Sequence, residues 1–196
     1  MNNFFLLILM FSTTLCSLKN KEKNVVKDED YFIEIFDKNP VYVSNGFDFP
    51  VGKPDASGYS DAQPFTMNNH LGEDWIKAGR KEMGVPIYAS SNGIVSFADD
   101  IAGGWGSIVR IIHITPSKIL YETVYAHLQK IRVNVGDKVK KGDIIGTMGD
   151  ANGVYWVHLH FEIRNKINLP IGPGYSSNTD GYLDPKKFIN KNRFFK

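Results

Sequence analysis

Residues 157–164 read Val-His-Leu-His-Phe-Glu-Ile-Arg (VHLHFEIR), alternating polar and apolar side chains with the two-residue period of a β-strand. The period puts His158, His160, Glu162 and Arg164 on one face and Leu159, Phe161 and Ile163 on the other. Two imidazoles then project side by side, with Cα atoms roughly 6.5–7 Å apart. At that spacing one ring can bind a metal while the other reaches water beside it. Back along the chain the same short period recurs at 94–97, 107–114, 119–125, 131–135 and 144–147. Turn formers separate these runs: Asn92-Gly93, Gly103-Gly104, Gly136-Asp137, Gly142-Asp143, Gly149-Asp150 and Asn152-Gly153. No long amphipathic helix competes, so the sequence predicts one all-β domain, an antiparallel sandwich or barrel with little helix. A short helix is expected near the end, where Asp184-Pro185 supplies a cap and a first-turn proline.

Before residue 70 the pattern loosens. Residues 31–69 hold Pro40, Pro50, Pro54 and Pro64 and the turn-rich DASGYSD at 55–61, and read as an irregular segment of loops and short strands packed on or near the core. Residues 17–30, rich in Lys, Asn, Glu and Asp, read as a charged tether. Residues 1–16 carry the apolar run FFLLILMF at 4–11. That run is too short to span a bilayer as a helix and matches the apolar region of a signal peptide. Export to the periplasm or cell envelope is therefore the expectation. Cys16 sits where lipoprotein signals place the lipidated cysteine, although Leu15 stands where such signals usually carry a small residue. A lipid on Cys16 is the expected tie to a membrane.

With 42% hydrophobic and 22% charged residues in 196, the chain can bury a core. A formal charge of +2 makes no case for a nucleic-acid partner. One cysteine excludes an internal disulfide framework and a Cys-based zinc site, so any metal must be held by His and carboxylates. Four of the five histidines fall in three patches: His70 with Asp74, His127, and His158 with His160. One His, a carboxylate and a second His make a three-ligand zinc site whose fourth position is left for water, the catalytic kind. His113 has no partner in sequence and reads as a core histidine. Glu73, Glu162, Asp180 and Asp184 read as structural or solvated carboxylates, and Lys138 to Lys141 as a solvated hairpin edge.

In this order the patches resemble those of the lysostaphin and LytM-type zinc metallopeptidases, which cut peptide bonds in bacterial peptidoglycan. The resemblance lies in His70-Leu71-Gly72-Glu73-Asp74-Trp75, Gly84 to Ala89 with Asn92 to Val95, Tyr125-Ala126-His127-Leu128, Val135 to Gly146, His158 to Glu162 and Leu183-Asp184-Pro185. It implies a duplicated-hybrid-motif (barrel-sandwich hybrid) fold over 70–196. It further implies a zinc ion held by His70, Asp74 and His160, with His127 and His158 as catalytic groups beside the bound water. The aromatic candidates for substrate contact are Tyr125, Trp105, Tyr155 and Trp156. Two departures stand out: Tyr155-Trp156-Val157 replaces the hydroxyl residue, Gly and Pro common before the His-x-His, and residues 165–182 are longer than usual and read as an added loop.

The function expected from this resemblance is an exported zinc metallo-endopeptidase acting on peptidoglycan stem or bridge peptides. The alternative from another class is a non-catalytic wall-binding or hydrolase-activator module of the same fold. A lipoyl-type carrier, suggested by VGDKVKKGDIIG at 135–146, fails because the turn Gly149 to Gly153 offers no lysine. A further expectation is latency, with an Asn or Asp of residues 31–69 filling the open metal position.

Overall fold

The computed structural model describes residues 27–77 and 83–195. The expected signal peptide and Cys16 lie outside them. Ten strands occur among the described residues: β1 (Tyr59–Gln63), β2 (Glu73–Lys77), β3 (Pro86–Tyr88), β4 (Gly93–Asp100), β5 (Ser107–Ile114), β6 (Leu120–Ile131), β7 (Lys138–Val139), β8 (Ile144–Met148), β9 (Leu159–Arg164) and β10 (Tyr182–Leu183). They are flanked by helices α1 (Glu29–Lys38) and α2 (Pro185–Lys191). Strand order is β1-β2-β9-β6-β5-β4-β7, with β10 beside β9 and β8 between β3 and β6. The pairings are antiparallel, as the sequence pattern predicts.

The long strand β6 makes the corner. Glu122 to Ala126 pair with β9, whereas Leu128 to Ile131 pair with β8, so the chain changes partners at His127. The sheet folds over there, and the core fills the space between. Ile87, Ile145 and Met148 of the β3–β8 layer meet Val109, Ile111, Tyr125, Leu159, Phe161 and Ile163 of the main sheet. Fully burying a side chain such as Phe161, at 0% exposure, contributes about 1.5–3 kcal/mol before cavity effects are counted.

Strand β9 obeys its two-residue period: Leu159, Phe161 and Ile163 enter that core. The other face is buried too. Ile108, Val124 and Ala126 form a second apolar cluster there, covered by Phe97, Trp105 and Ile171. The last of these belongs to the 165–182 loop, which lies across the strand.

The segment before the sheet is more ordered than its sequence pattern suggests. Where loops were expected, α1 forms, its N-terminus capped by the Asp28 carboxylate accepting from Tyr31 N at 2.9 Å. Asp28, Glu29 and Asp30 read as tether charge, but they are a cap and the acidic first turn that a helix dipole favours. Phe32 and Phe36, one helical turn apart, bury against Ile94, Ile112, Ile114 and Leu120. The expected final helix is present as α2, with Asp184 accepting from Lys187 N at 2.9 Å.

Candidate metal centre

Register brings the first two groups together. Asp74 on β2 lies directly opposite His160 on β9, and directly opposed residues project to the same side. Gly72 permits the close approach, because a Cβ there would lie 2.6 Å from the Phe161 carbonyl oxygen and 2.9 Å from the His160 ring. The bend at Leu71-Gly72 carries His70 back over the same point. His70 Nε2 lies 3.0 Å from His160 Nδ1, His160 Nδ1 lies 3.1 Å from Asp74 Oδ1, and His70 Nε2 lies 3.4 Å from Asp74 Oδ1.

The far nitrogens fix the tautomers. His70 Nδ1 donates to the Gln63 carbonyl at 3.0 Å, and His160 Nε2 donates to Glu162 Oε1 at 3.0 Å. With protons on those atoms, and the inner protons that bond Asp74 given up to an ion, two nitrogen lone pairs and a carboxylate oxygen converge on one small space. A tetrahedral zinc with bonds near 2.0–2.1 Å holds its ligand atoms about 3.3 Å apart, and the three separations bracket that value. Two imidazoles and one carboxylate are also a zinc-type donor set with one position left over. The residues therefore fit the ion in chemistry and in spacing.

Two more imidazoles face this triad. His158 Nε2 lies 3.7 Å from Asp74 Oδ1, while its Nδ1 donates to the Trp156 carbonyl at 2.6 Å. His127 lies with its ring centroid 4.6 Å from that of His158 and 5.6 Å from that of His160. Strict alternation along β6 would send His127 into the core beside Tyr125. A left-handed backbone, with φ of 60° at His127, breaks the alternation at the corner and delivers the ring to the metal face. Its Nδ1 donates to the Trp105 carbonyl at 3.2 Å, leaving Nε2 for the cleft.

Charge sorts these rings. Burial alone would raise the Asp74 carboxyl, but hydrogen bonds from His160 and His70 outweigh it and hold the group well below the carboxylate range. Burial would lower His160, yet its bonds to Asp74 and Glu162 push it up to about 9. His127 moves the other way, down to about 3, by burial and by the neighbouring His160 and His158. It is a neutral imidazole at neutral pH.

Asp74 and His160 of the triad line an open cavity of about 430 Å³, together with His127, His158, Gln63, Trp105, Tyr155, Trp156, Pro173 and Tyr175, while His70 lies buried behind them. Three of the four aromatic candidates thus stand at the cleft. Tyr125 does not. It is 0% exposed and lies in the core, where its hydroxyl accepts from Ser90 N at 2.9 Å and lies 3.0 Å from Thr123 Oγ1. Two residues before the corner, it keeps the parity that His127 loses, so the assignment of Tyr125 to substrate contact is corrected to a structural one.

Sequence reading missed three features of the site. Glu162, read as structural or solvated, is 0% exposed and holds a triad histidine; its place on the histidine face of the alternation was the available signal. Tyr175 lays its ring 5.2 Å from that of His70 and donates to Gln63 Oε1 at 3.2 Å, and nothing local in the sequence marks it. Gln63 contributes the carbonyl that orients His70. The other carboxylates match their reading: Asp180 pairs with Lys166 at the surface, Asp184 caps α2, and Glu73 turns away from the triad to accept from Lys186 N. Among residues 31–69 the cavity is lined by Gln63 and by no Asn or Asp, so the expected latency side chain is not at the site.

A folded antiparallel sheet with a His-Asp-His set of donors that fits a metal ion, beside an open cleft, defines the class of this β-domain. Comparison with known families makes this specific: the chain belongs to peptidase family M23, whose model matches residues 68–173. It is 40% identical over 83 residues to lipoprotein NlpD of Yersinia enterocolitica, 42% of this chain and 80% of that protein. It is 36% identical over 93 residues to the peptidoglycan DD-endopeptidase ShyC of Vibrio cholerae, 47% of this chain and 19% of that protein. Three further curated relatives are spanned over 13%, 34% and 30% of their lengths. Among solved structures, a mutant catalytic domain of the prophage-encoded M23 protein EnpA from Enterococcus faecalis shares the fold. Its TM-score is 0.51 at 23% identity, covering 71% of this chain and 95% of that one.

Proposed function

We propose that this protein is an exported zinc metallo-endopeptidase that hydrolyses peptide bonds in bacterial peptidoglycan. The observation that carries the reading is the convergence of His70 Nε2, Asp74 Oδ1 and His160 Nδ1 within 3.0–3.4 Å of one another at the floor of a cleft. Those three residues would hold the ion. When bound, zinc would supply Lewis-acid chemistry, acidifying water and polarising the scissile carbonyl.

The remaining work falls to side chains. His127, neutral and with Nε2 free of the Trp105 contact, accepts or returns the proton of the attacking water. His158, oriented by its bond to the Trp156 carbonyl, presents Nε2 toward Asp74, and once that nitrogen takes up the ring's second proton it donates toward the developing oxyanion. Trp105, Tyr155, Trp156 and Tyr175 provide aromatic walls against which a peptide substrate can lie. The endopeptidase name of the Vibrio relative supports the substrate class. The lipoprotein name of the Yersinia relative supports an envelope location, with Cys16 as the proposed anchor.

That lipoprotein name states no activity, which keeps the non-catalytic wall-binding or activator module as the second reading. The complete triad with two accompanying imidazoles favours catalysis. The test is digestion of purified sacculi by the zinc-loaded protein, read by mass spectrometry of the released muropeptides. New peptide termini that disappear with chelator support the enzyme; wall binding with no cleavage supports the module.

A further inference from the structure

Beneath His160 lies a row of charges that the proposed chemistry does not use. Glu162 takes the His160 Nε2 proton on Oε1 and the Arg164 Nε proton on Oε2, at 3.0 and 2.7 Å. Arg164 Nη1 approaches Glu122 at 3.6 Å, and Arg110 grips Glu122 with Nε at 3.1 Å and Nη2 at 2.6 Å. Glu122, Glu162 and Arg164 are each 0% exposed. Three charges this deep, with Arg110 partly exposed at the end of the row, are costly to desolvate and persist only when each is paired.

Both guanidiniums also converge on one backbone atom. The Leu169 carbonyl accepts from Arg110 Nη2 at 2.9 Å and from Arg164 Nη1 at 3.2 Å. Leu169 belongs to the 165–182 loop, whose farther part supplies Pro173, Gly174 and Tyr175 to the cavity. That part is pinned as well: Trp105 Nε1 donates to the Gly172 carbonyl at 2.9 Å, Leu71 N donates to Gly174 at 3.0 Å and Ser176 N to Asn69 at 2.8 Å. The loop is thus tied at its base to the network holding His160 and at its tip to the residues flanking His70.

We infer that Glu162 is the positioning residue for the metal ligand His160, and that the Arg164–Glu122–Arg110 chain joins it to the 165–182 loop, so that metal affinity and the shape of the substrate wall are set by one buried network. The inference rests on the metal reading proposed above. Because coupling between two sites is reciprocal, zinc should tighten the loop and loosening the loop should weaken zinc.

The test uses the full chain and two readouts that need no turnover: zinc affinity by competition with a chromophoric chelator, and hydrogen exchange of residues 165–182 with and without zinc. Glu162→Gln should weaken zinc binding about 10- to 100-fold. Arg110→Gln, at the partly exposed end of the row, keeps the core intact; it should weaken zinc about threefold or more and abolish the zinc-dependent slowing of exchange around Leu169. Arg110→Lys, which restores the charge, should recover part of both. Zinc affinity within about twofold of wild type in Glu162→Gln overturns the positioning role. Should that variant not fold, unchanged zinc affinity and unchanged loop exchange in Arg110→Gln overturn the coupling. Failure of the wild-type chain to take up zinc at all overturns the metal reading and the inference with it.

Discussion

Two histidines lie deep in this sheet on strands that flank β6, and their surroundings make them chemical opposites. His113 on β5 is 0% exposed; its Nδ1 donates to the Asn92 carbonyl and its Nε2 lies 2.8 Å from the Thr123 hydroxyl. Every partner is neutral, so burial prevails and pushes its pKa down to about 4. His160 on β9 is equally enclosed, but its two nitrogens meet Asp74 and Glu162 and its pKa is pushed up to about 9. The sheet supplies the same burial to both rings; the carboxylates decide which one is pushed toward its charged form. A neutral histidine among neutral acceptors holds a core together, whereas the histidine between carboxylates is the one the proposed function assigns to the metal.

The comparison is broken most sharply by exchanging each ring for alanine. His160→Ala should lower bound zinc from about one per chain to near zero and remove hydrolysis, as read by metal analysis after dialysis. His113→Ala should leave the zinc stoichiometry intact and instead cost about 2–4 kcal/mol of folding stability, from a cavity and an unpaired Thr123 hydroxyl. Zinc loss in the His113 variant would erase the distinction.

Next in size is His127, which lines the cleft with His160 and is proposed as a proton-transfer group, not a ligand. His127→Ala should retain zinc and lose about 10²- to 10⁴-fold in kcat. A variant with full turnover would return His127 to the role of a packing residue.

A pH titration sharpens the contrast further. The folded-state pKa of His113, about 4, lies below its ordinary 6.5, so between those values the unfolded chain binds a proton that the folded chain does not. Stability from this residue is complete above about pH 6.5 and is lost as pH falls toward 4, by at most about 3 kcal/mol. Urea midpoints measured between pH 7 and 4 should therefore fall more steeply in wild type than in His113→Gln. Parallel curves would show that the buried ring is protonated or relaxes. Glu73 runs against this trend in an overlapping window. Burial, then repulsion from Asp61, pushes it up to about 7. Its contribution is present below about pH 4.5 and is lost as pH rises through 7. Only the difference between the two proteins isolates His113.

What sequence could reveal follows the range of the interaction. The alternation of β9 is local, so His158, His160 and the core residues between them were legible in eight letters. That His70 and Asp74 join His160, 86 residues on from Asp74, came from family resemblance, since register across β2 and β9 leaves no mark in spacing. The helix α1 was hidden because its capping acids end a charged run. His127 was assigned to the site by resemblance, but the left-handed turn that takes it there falls on a non-glycine residue. The same flip misled the reading of Tyr125, whose parity with His127 holds in sequence and fails at the corner. Glu162 reads as structural or solvated although its partners His160 and Arg164 stand two residues away on the same strand face; what the local pattern could not show is Glu122 and Arg110, which continue the row from β6 and β5.

The smallest expected effects separate the two kinds of aromatic residue by the same logic of surroundings. Tyr125 is enclosed by the core and accepts from Ser90 N, while Trp156 stands at the cleft rim with 75% of its surface exposed. Tyr125→Phe should cost about 1–3 kcal/mol, because the Ser90 N–H loses its acceptor in a buried setting, and should leave KM unchanged. Trp156→Ala should change stability by less than about 0.5 kcal/mol. It should raise KM a few-fold with kcat nearly constant, since an indole on a cleft wall stabilises bound substrate and transition state alike. Muropeptide kinetics paired with thermal unfolding read both variants together. A KM effect from Tyr125, or a stability effect alone from Trp156, would mean that substrate reaches past the corner of β6 and that the wall of the cleft has been drawn in the wrong place.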